Sequence, residues 1–332
     1  MKYIIGLLII AGLWACTKED WPDNSRPEVN PFAVPADATG EEAELRRGFF
    51  DRTGMYLLFS DTLVAQEVNA VSAKKEKVYI KVHLEWNMVS TNQGIDSFIC
   101  YPYKTLAEKK MLTEFVEREV LTSVPVLFYP YSIMLLDRLV YFQYNYYGGY
   151  EDPVEYSFYA GMQSTVITVS NLSAFTAGEK EKLKTNLVGN LISSNISVIP
   201  EADWADFYTY SDEYYKLSSQ YVVPYPIEAC GYLPTYADAG WGGPDFHTKE
   251  YDVKAYVEEI FKLSESEFRE TYAEYPIIID KMEEMVKVLR KHGVKVYELD
   301  RIVFVVFNFL VYWNQCTRKR IRDSGADPRH EG

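Results

Sequence analysis

Between residues 78 and 88 apolar and polar positions alternate without a break. Val78, Ile80, Val82, Leu84, Trp86 and Met88 fall on one side, and Tyr79, Lys81, His83, Glu85 and Asn87 on the other. A period of two predicts a half-buried strand. Tyr56–Phe59, Ser132–Leu136 and Thr165–Val169 are shorter apolar runs that read as core strands, with Pro125 and Pro130 interrupting the chain before the second. Helical spacing covers Glu41 to about Thr53 and roughly 105–122, the latter marked by Leu106, Leu112, Phe115 and Val116. Thr176 followed three residues on by Glu179 forms a capping box, and the helix it opens carries Leu183, Leu187, Leu191 and Ile196 near every fourth position. Val253–Phe261, Glu265–His292 (stopped by Gly293) and Glu298–Trp313 continue the helical pattern. Ile302–Trp313, broken by Asn308, is too short to span a bilayer and predicts a buried terminal helix. Strands come early and helices late, so the expected class is α+β, a small N-terminal sheet followed by a helical half, rather than a parallel α/β sheet.

The first fifteen residues have a separate character. Lys2 precedes an apolar run from Tyr3 to Leu13, about half the length needed to cross a bilayer, which reads as an export signal. Leu13-Trp14-Ala15-Cys16 resembles the lipobox of bacterial lipoproteins, in which the cysteine becomes the lipidated first residue. Thr17-Lys18-Glu19-Asp20 resembles the export tag of Bacteroidetes lipoproteins displayed outside the outer membrane. Residues 16–40, with Pro22, Pro27, Pro31 and Pro35, have the composition of a tether. The expected organisation is a signal peptide over 1–15, lipidated Cys16 and tether over 16–40, one domain over 41–315 and a polar tail over 316–332.

Composition narrows the partners. The 332 residues carry 34 Lys+Arg against 48 Asp+Glu, a net charge of −14, which argues against nucleic acid because that affinity comes from neutralising phosphates. With Cys16 lipidated, Cys100, Cys230 and Cys316 remain, enough for one disulfide and a leftover thiol. No CxxC motif, GxSxG nucleophile pattern, P-loop or dinucleotide fingerprint occurs.

Five segments together resemble the Bacteroidetes zinc metallohydrolase lipoproteins associated with substrate import, a zinc-peptidase family with a zincin-like fold. They are MYLLFSDT (Met55–Thr62), PYSIMLLDRL (Pro130–Leu139), the 176–197 helix, ACGYLPTYA (Ala229–Ala237) and YDVKAYVEEIF (Tyr251–Phe261). The resemblance covers nearly all of 41–315 and rests on their order. It implies a zincin-like fold, zinc as cofactor, and an HExxH helix in which two histidines hold the metal and the glutamate acts as base. Here that helix departs from the family. His83, His247, His292 and His330 are the chain's four histidines, and none lies between 84 and 246. The best register sets Gly189, Asn190 and Ser193 against His, Glu and His, and Ala255 against the distal acidic ligand, while Asp252 keeps the preceding acid. The expectation is therefore a degenerate site without cofactor, because a zinc-bound hydroxide needs imidazole or carboxylate donors.

Other residues offer chemistry of their own. His83 reads as a solvated histidine on a strand's polar face, and His292 as a cation at a helix C-terminus. His247 and Trp241 lie in a Gly-rich loop, 240–248, and His330 in the polar tail. Glu201, Asp203, Asp206, Asp212 and Glu213 form an acidic cluster that invites a glycosidase reading. Tyr144, Tyr146, Tyr147, Tyr150, Tyr156 and Tyr159 either stack on sugars or pack on one another beside the Gly148-Gly149 turn. Tyr146, Tyr147, Tyr150 and Trp241 are the candidate ligand contacts. Three functions follow. The first is a non-catalytic relative of the metallohydrolases, anchored in the outer membrane beside an importer and binding glycan or peptide. The second is an active hydrolase with relocated ligands such as His83 or His247, and the third is a glycan-binding lipoprotein unrelated to the peptidases.

Overall fold

Acids in the first turn (Glu41, Glu42, Glu44) and Arg52 in the last match the dipole of the opening helix, α1 (Glu41–Thr53), which ends at Gly54 with φ +76°. The computed structural model of the chain describes residues 30–63, 67–68, 76–77, 80–85, 97–145, 149–215, 226–233 and 248–297. After α1 come β1 (Tyr56–Leu58), β2 (Thr62–Leu63), β3 (Glu67–Val68), β4 (Glu76–Lys77), β5 (Ile80–Lys81) and β6 (Ser97–Tyr101). Helix α2 (Leu106–Phe115) starts in a capping box between Thr105 and Glu108 and runs on through a π turn and a 3₁₀ turn to Ser123. Then follow β7 (Ser132–Leu136), β8 (Arg138–Phe142), β9 (Tyr144–Asn145), β10 (Gly149–Tyr150), β11 (Val154–Glu155), β12 (Phe158–Ala160) and β13 (Thr165–Thr168). The rest is helical: α3 (Ala177–Ser194), α4 (Ala205–Thr209), α5 (Lys249–Lys262), α6 (Glu265–Thr271) and α7 (Pro276–Lys291). Among the described residues no helix is long and apolar enough to cross a membrane.

The mixed α and β class agrees with the sequence pattern, but the central sheet differs from the expectation. Its order is β1-β7-β13-β12, and the first three strands are parallel, with Tyr56 opposite Ser132 and Thr165 opposite Ile133. Only the edge strand β12 is antiparallel to its neighbour. The crossover between β1 and β7 contains α2, as a parallel pair requires. Because the sheet is covered on both faces, its strands are apolar at successive positions. Ile133, Leu135 and Ile167 join the cluster formed with the helices, while Met134, Leu136 and Val166 join Phe32, Leu63, Val82 and Leu84 behind the sheet. A second sheet, β11-β8-β6, is antiparallel throughout.

Two elements depart from the periodicity reading. Within 78–88 the described strand is only Ile80–Lys81, paired with Thr62–Leu63. Val82 and Leu84 are buried and His83 is exposed, as alternation requires, yet Ile80 is 46% exposed. The Val82 N–H still donates to the Asp61 carbonyl at 2.7 Å, but beyond it the backbone bonds elsewhere: the His83 N–H donates to the Gln163 side chain, and the Leu84 carbonyl accepts from the Met162 N–H. Residues 78–79 and 86–88 lie outside the described residues. The single helix expected over 265–292 is two helices, because Pro276 lacks an N–H and holds Tyr275 out of the helical region (ψ 79°). Pro276 instead takes the first position of α7, where its N–H is not needed. The expected helix over 298–313 lies outside the described residues.

Candidate functional site

The capping box at Thr176 forms as the sequence suggests, with the Glu179 carboxylate accepting the Thr176 N–H at 2.7 Å. It fixes the start of α3, whose buried face at Leu187, Val188, Leu191 and Ile192 packs on α5. The positions that the metallohydrolase resemblance singles out meet at this crossing. Gly189 lies against Phe261 so closely that a Cβ on the glycine would stand 2.6 Å from the Phe261 Cβ. Ser193 Oγ donates to Glu258 Oε1 at 3.1 Å, tying the same two helices. Ala255 is fully buried in the core, and Asn190 is half-buried.

Asp252 is also fully buried, and it faces a lysine that the sequence reading did not single out. Lys281 Nζ on α7 donates to Asp252 Oδ2 at 2.5 Å, with both side chains sealed from solvent. Lys281 donates as well to Ser211 Oγ and to the Gly231 carbonyl, each at 2.9 Å, so its three N–H bonds are all directed at protein acceptors. The Tyr215 hydroxyl donates to the same Asp252 oxygen. Aromatic rings complete the enclosure, with the ammonium 4.6 Å from the centre of Phe207, 5.0 Å from Tyr232 and 5.1 Å from Tyr256. Gly231 is required where it stands: its φ is +82°, and a Cβ there would meet Ser211 Oγ at 2.8 Å. Burial pulls the Lys281 ammonium below its ordinary pKa while Asp252 pushes it back up, and burial followed by the Asp252 charge pushes the Tyr215 phenol up.

This arrangement is a crosslink. It joins α5, α7, the turn after α4 and the Ile227–Cys230 turn around one buried ion pair. The zinc that the resemblance implies would need imidazole and carboxylate donors along α3 and α5. The residues present do not fit it: Gly189 and Ala255 carry no donor, Ser193 is bonded to Glu258, and Asp252 is neutralised by Lys281. Among the described residues no group of three or more His, Cys, Asp and Glu stands together as a metal site would need.

The remaining candidates are placed apart from this crossing. His292 Nε2 meets Asp203 Oδ2 at 2.7 Å, and Lys291 Nζ meets Asp203 Oδ1 at 2.8 Å, so this histidine closes α7 against the 201–204 turn. Within the acidic cluster Asp203 thus serves an ion pair, and Glu201 pairs with Lys249 at 3.3 Å. Tyr150 packs edge-on against Tyr144 across the β9–β10 hairpin, and Tyr156 against Tyr159, which is the mutual packing that the tyrosine cluster allowed. Cys100 and Cys230 sit in different clusters and form no disulfide with each other. Cys16, Tyr146, Tyr147, Trp241, His247, Cys316 and His330 lie outside the described residues.

The sequence did carry a signal for the buried pair. Lys281 interrupts the apolar face of α7 formed by Ile278, Met282, Met285 and Leu289, and Asp252 likewise sits on the buried face of α5 with Tyr256 and Ile260. One cation and one anion on two otherwise apolar helix faces imply each other, since neither is buried unpaired. No family model matches the chain, and no curated protein or solved structure matches it.

Proposed function

We propose that this chain is an outer-membrane lipoprotein, anchored through Cys16 and exposed at the cell surface, whose zincin-like body has exchanged zinc catalysis for a binding or accessory role in nutrient import. The reading is carried by one observation: the positions set against the zinc ligands serve packing. Gly189 admits Phe261, Ser193 binds Glu258, Ala255 fills core, and Asp252 neutralises Lys281. The segments that carry the resemblance also meet in space, since Leu57 pairs with Ile133 and α3 packs on α5. A ligand for such a component is a glycan or a peptide, and its partner is an importer in the same membrane.

The test is zinc content of the full chain, purified in a sugar-free zwitterionic detergent and dialysed against trace zinc, together with hydrolysis of casein with and without EDTA. The expected result is zinc far below one per chain and no EDTA-sensitive hydrolysis. Stoichiometric zinc with hydrolysis that EDTA abolishes overturns the reading and restores the hydrolase with relocated ligands. The anchor is tested by metabolic palmitate labelling, which Cys16→Ala abolishes if the lipobox is used.

A further inference from the structure

A small concavity opens where β7 and β13 begin, between the β12–β13 turn and the C-terminal end of α3. Its volume is 190 Å³, below the roughly 300–1,000 Å³ of pockets for drug-sized ligands, so it suits a single ring. None of its eleven lining residues is charged. In a chain that is 25% Asp, Glu, Lys and Arg, this is a neutral site on a strongly acidic protein.

Two amides in the lining are held in one orientation each. Gln163 Oε1 accepts the His83 backbone N–H at 2.9 Å, which turns the Gln163 Nε2 donors the other way. Asn195 Nδ2 donates to the Leu191 carbonyl at 2.9 Å, which leaves Oδ1 as its acceptor. Among the described residues neither Gln163 Nε2 nor Asn195 Oδ1 has a partner. The floor is fixed as well: Ser132 Oγ donates to the Gln163 carbonyl at 2.9 Å, and Gly161 lets the turn close, because a Cβ there would stand 2.8 Å from the Ser164 carbonyl oxygen. At the rim Tyr131 is 57% exposed, yet it is anchored: its hydroxyl accepts from Asn30 at 2.7 Å and its ring meets Phe32 edge-on at 5.3 Å.

We infer that this concavity binds a neutral hexopyranose unit. An aromatic ring beside a pocket of oriented amides matches the two surfaces of a sugar, an apolar C–H face and hydroxyls that both donate and accept. A sugar hydroxyl can accept from an amide donor such as Gln163 Nε2 and donate to an amide acceptor such as Asn195 Oδ1. The absence of charge in the lining disfavours uronic acids, amino sugars and peptide termini. The binding site stands on its own geometry; its biological sense rests on the proposal that the chain is a binding component rather than an enzyme.

The experiment is saturation-transfer NMR on the full chain in a sugar-free zwitterionic detergent, with methyl glucoside, methyl mannoside and methyl galactoside as probes. Methyl glucuronoside serves as the charged control. At least one neutral glycoside is expected to bind in the millimolar range, with the glucuronoside weaker. Gln163→Glu keeps the acceptor for the His83 N–H, removes the donor and places a negative charge in the neutral lining. Tyr131→Ala removes the aromatic face. Each is expected to weaken binding roughly fivefold or more while leaving the unfolding midpoint in place for Gln163→Glu. No binding of any neutral glycoside at tens of millimolar overturns the inference, as does binding that both variants leave unchanged. Saturation transfer to a capped neutral dipeptide with none to any glycoside also overturns it and reassigns the pocket to peptide. A zinc-free chain without sugar binding leaves the proposed loss of catalysis standing, so the two failures are distinguishable.

Discussion

Gly189 on α3 and Phe261 on α5 are in contact where their two helices pack, with room for a hydrogen on the glycine and not for a methyl group. This contact makes the lack of a histidine at position 189 a matter of space as well as of chemistry. An imidazole at 189 would have to displace a phenylalanine ring packed against the core.

Gly189→Ala is therefore expected to destabilise the fold by about 1–3 kcal/mol through overpacking, in spite of the roughly 1 kcal/mol that alanine gains in helix propensity. Urea unfolding monitored by circular dichroism measures it. A midpoint equal to or above wild type would mean that the helices separate freely at this crossing.

The Lys281–Asp252 pair predicts a non-additive cycle. Lys281→Met strands a buried carboxylate and is expected to cost about 3–5 kcal/mol, whereas the double change Lys281→Met/Asp252→Leu recovers much of that loss. Chemical denaturation of the single and double variants gives the coupling. Simple additivity would show that the two charges do not depend on each other.

Asp203 sets an acid limb of stability. The hydrogen bond from Lys291, followed by that from His292, holds its carboxyl below the ordinary 3.8. A carboxylate depressed in the folded state contributes stability above its unfolded pKa and loses it as pH falls through the folded value, here below about pH 4. Asp203→Asn is expected to flatten thermal stability against pH in that window while lowering it at neutral pH. An acid limb of unchanged slope would assign the loss to other carboxylates.

Cys100 is expected to be a slow thiol. Burial first, and the nearby Asp61 charge second, push it up to about 12. Its alkylation by iodoacetamide in the native state at mildly alkaline pH should run at least about a hundredfold slower than that of free cysteine, since the thiolate is the nucleophile. Mass spectrometry of tryptic peptides after timed quenching reads the rate, and labelling as fast as free cysteine would contradict the burial.

What the sequence determined by itself is local. The Thr176–Glu179 box, the core runs at 132–136 and 165–169 and the absence of any histidine on α3 depend on neighbours three or four residues away, or on residue identity alone. Tertiary structure decided the rest. Tyr56 pairs in parallel with Ser132, Gln163 captures the His83 amide, and Lys281 reaches Asp252 across 29 positions. Such contacts need the chain to close long loops before any of them forms, so packing of the whole selects them rather than local propensity. Lys281 shows the boundary between the two. A charge on an apolar helix face announces in sequence that a partner exists, but only the packing of α7 on α5 shows that the partner is Asp252.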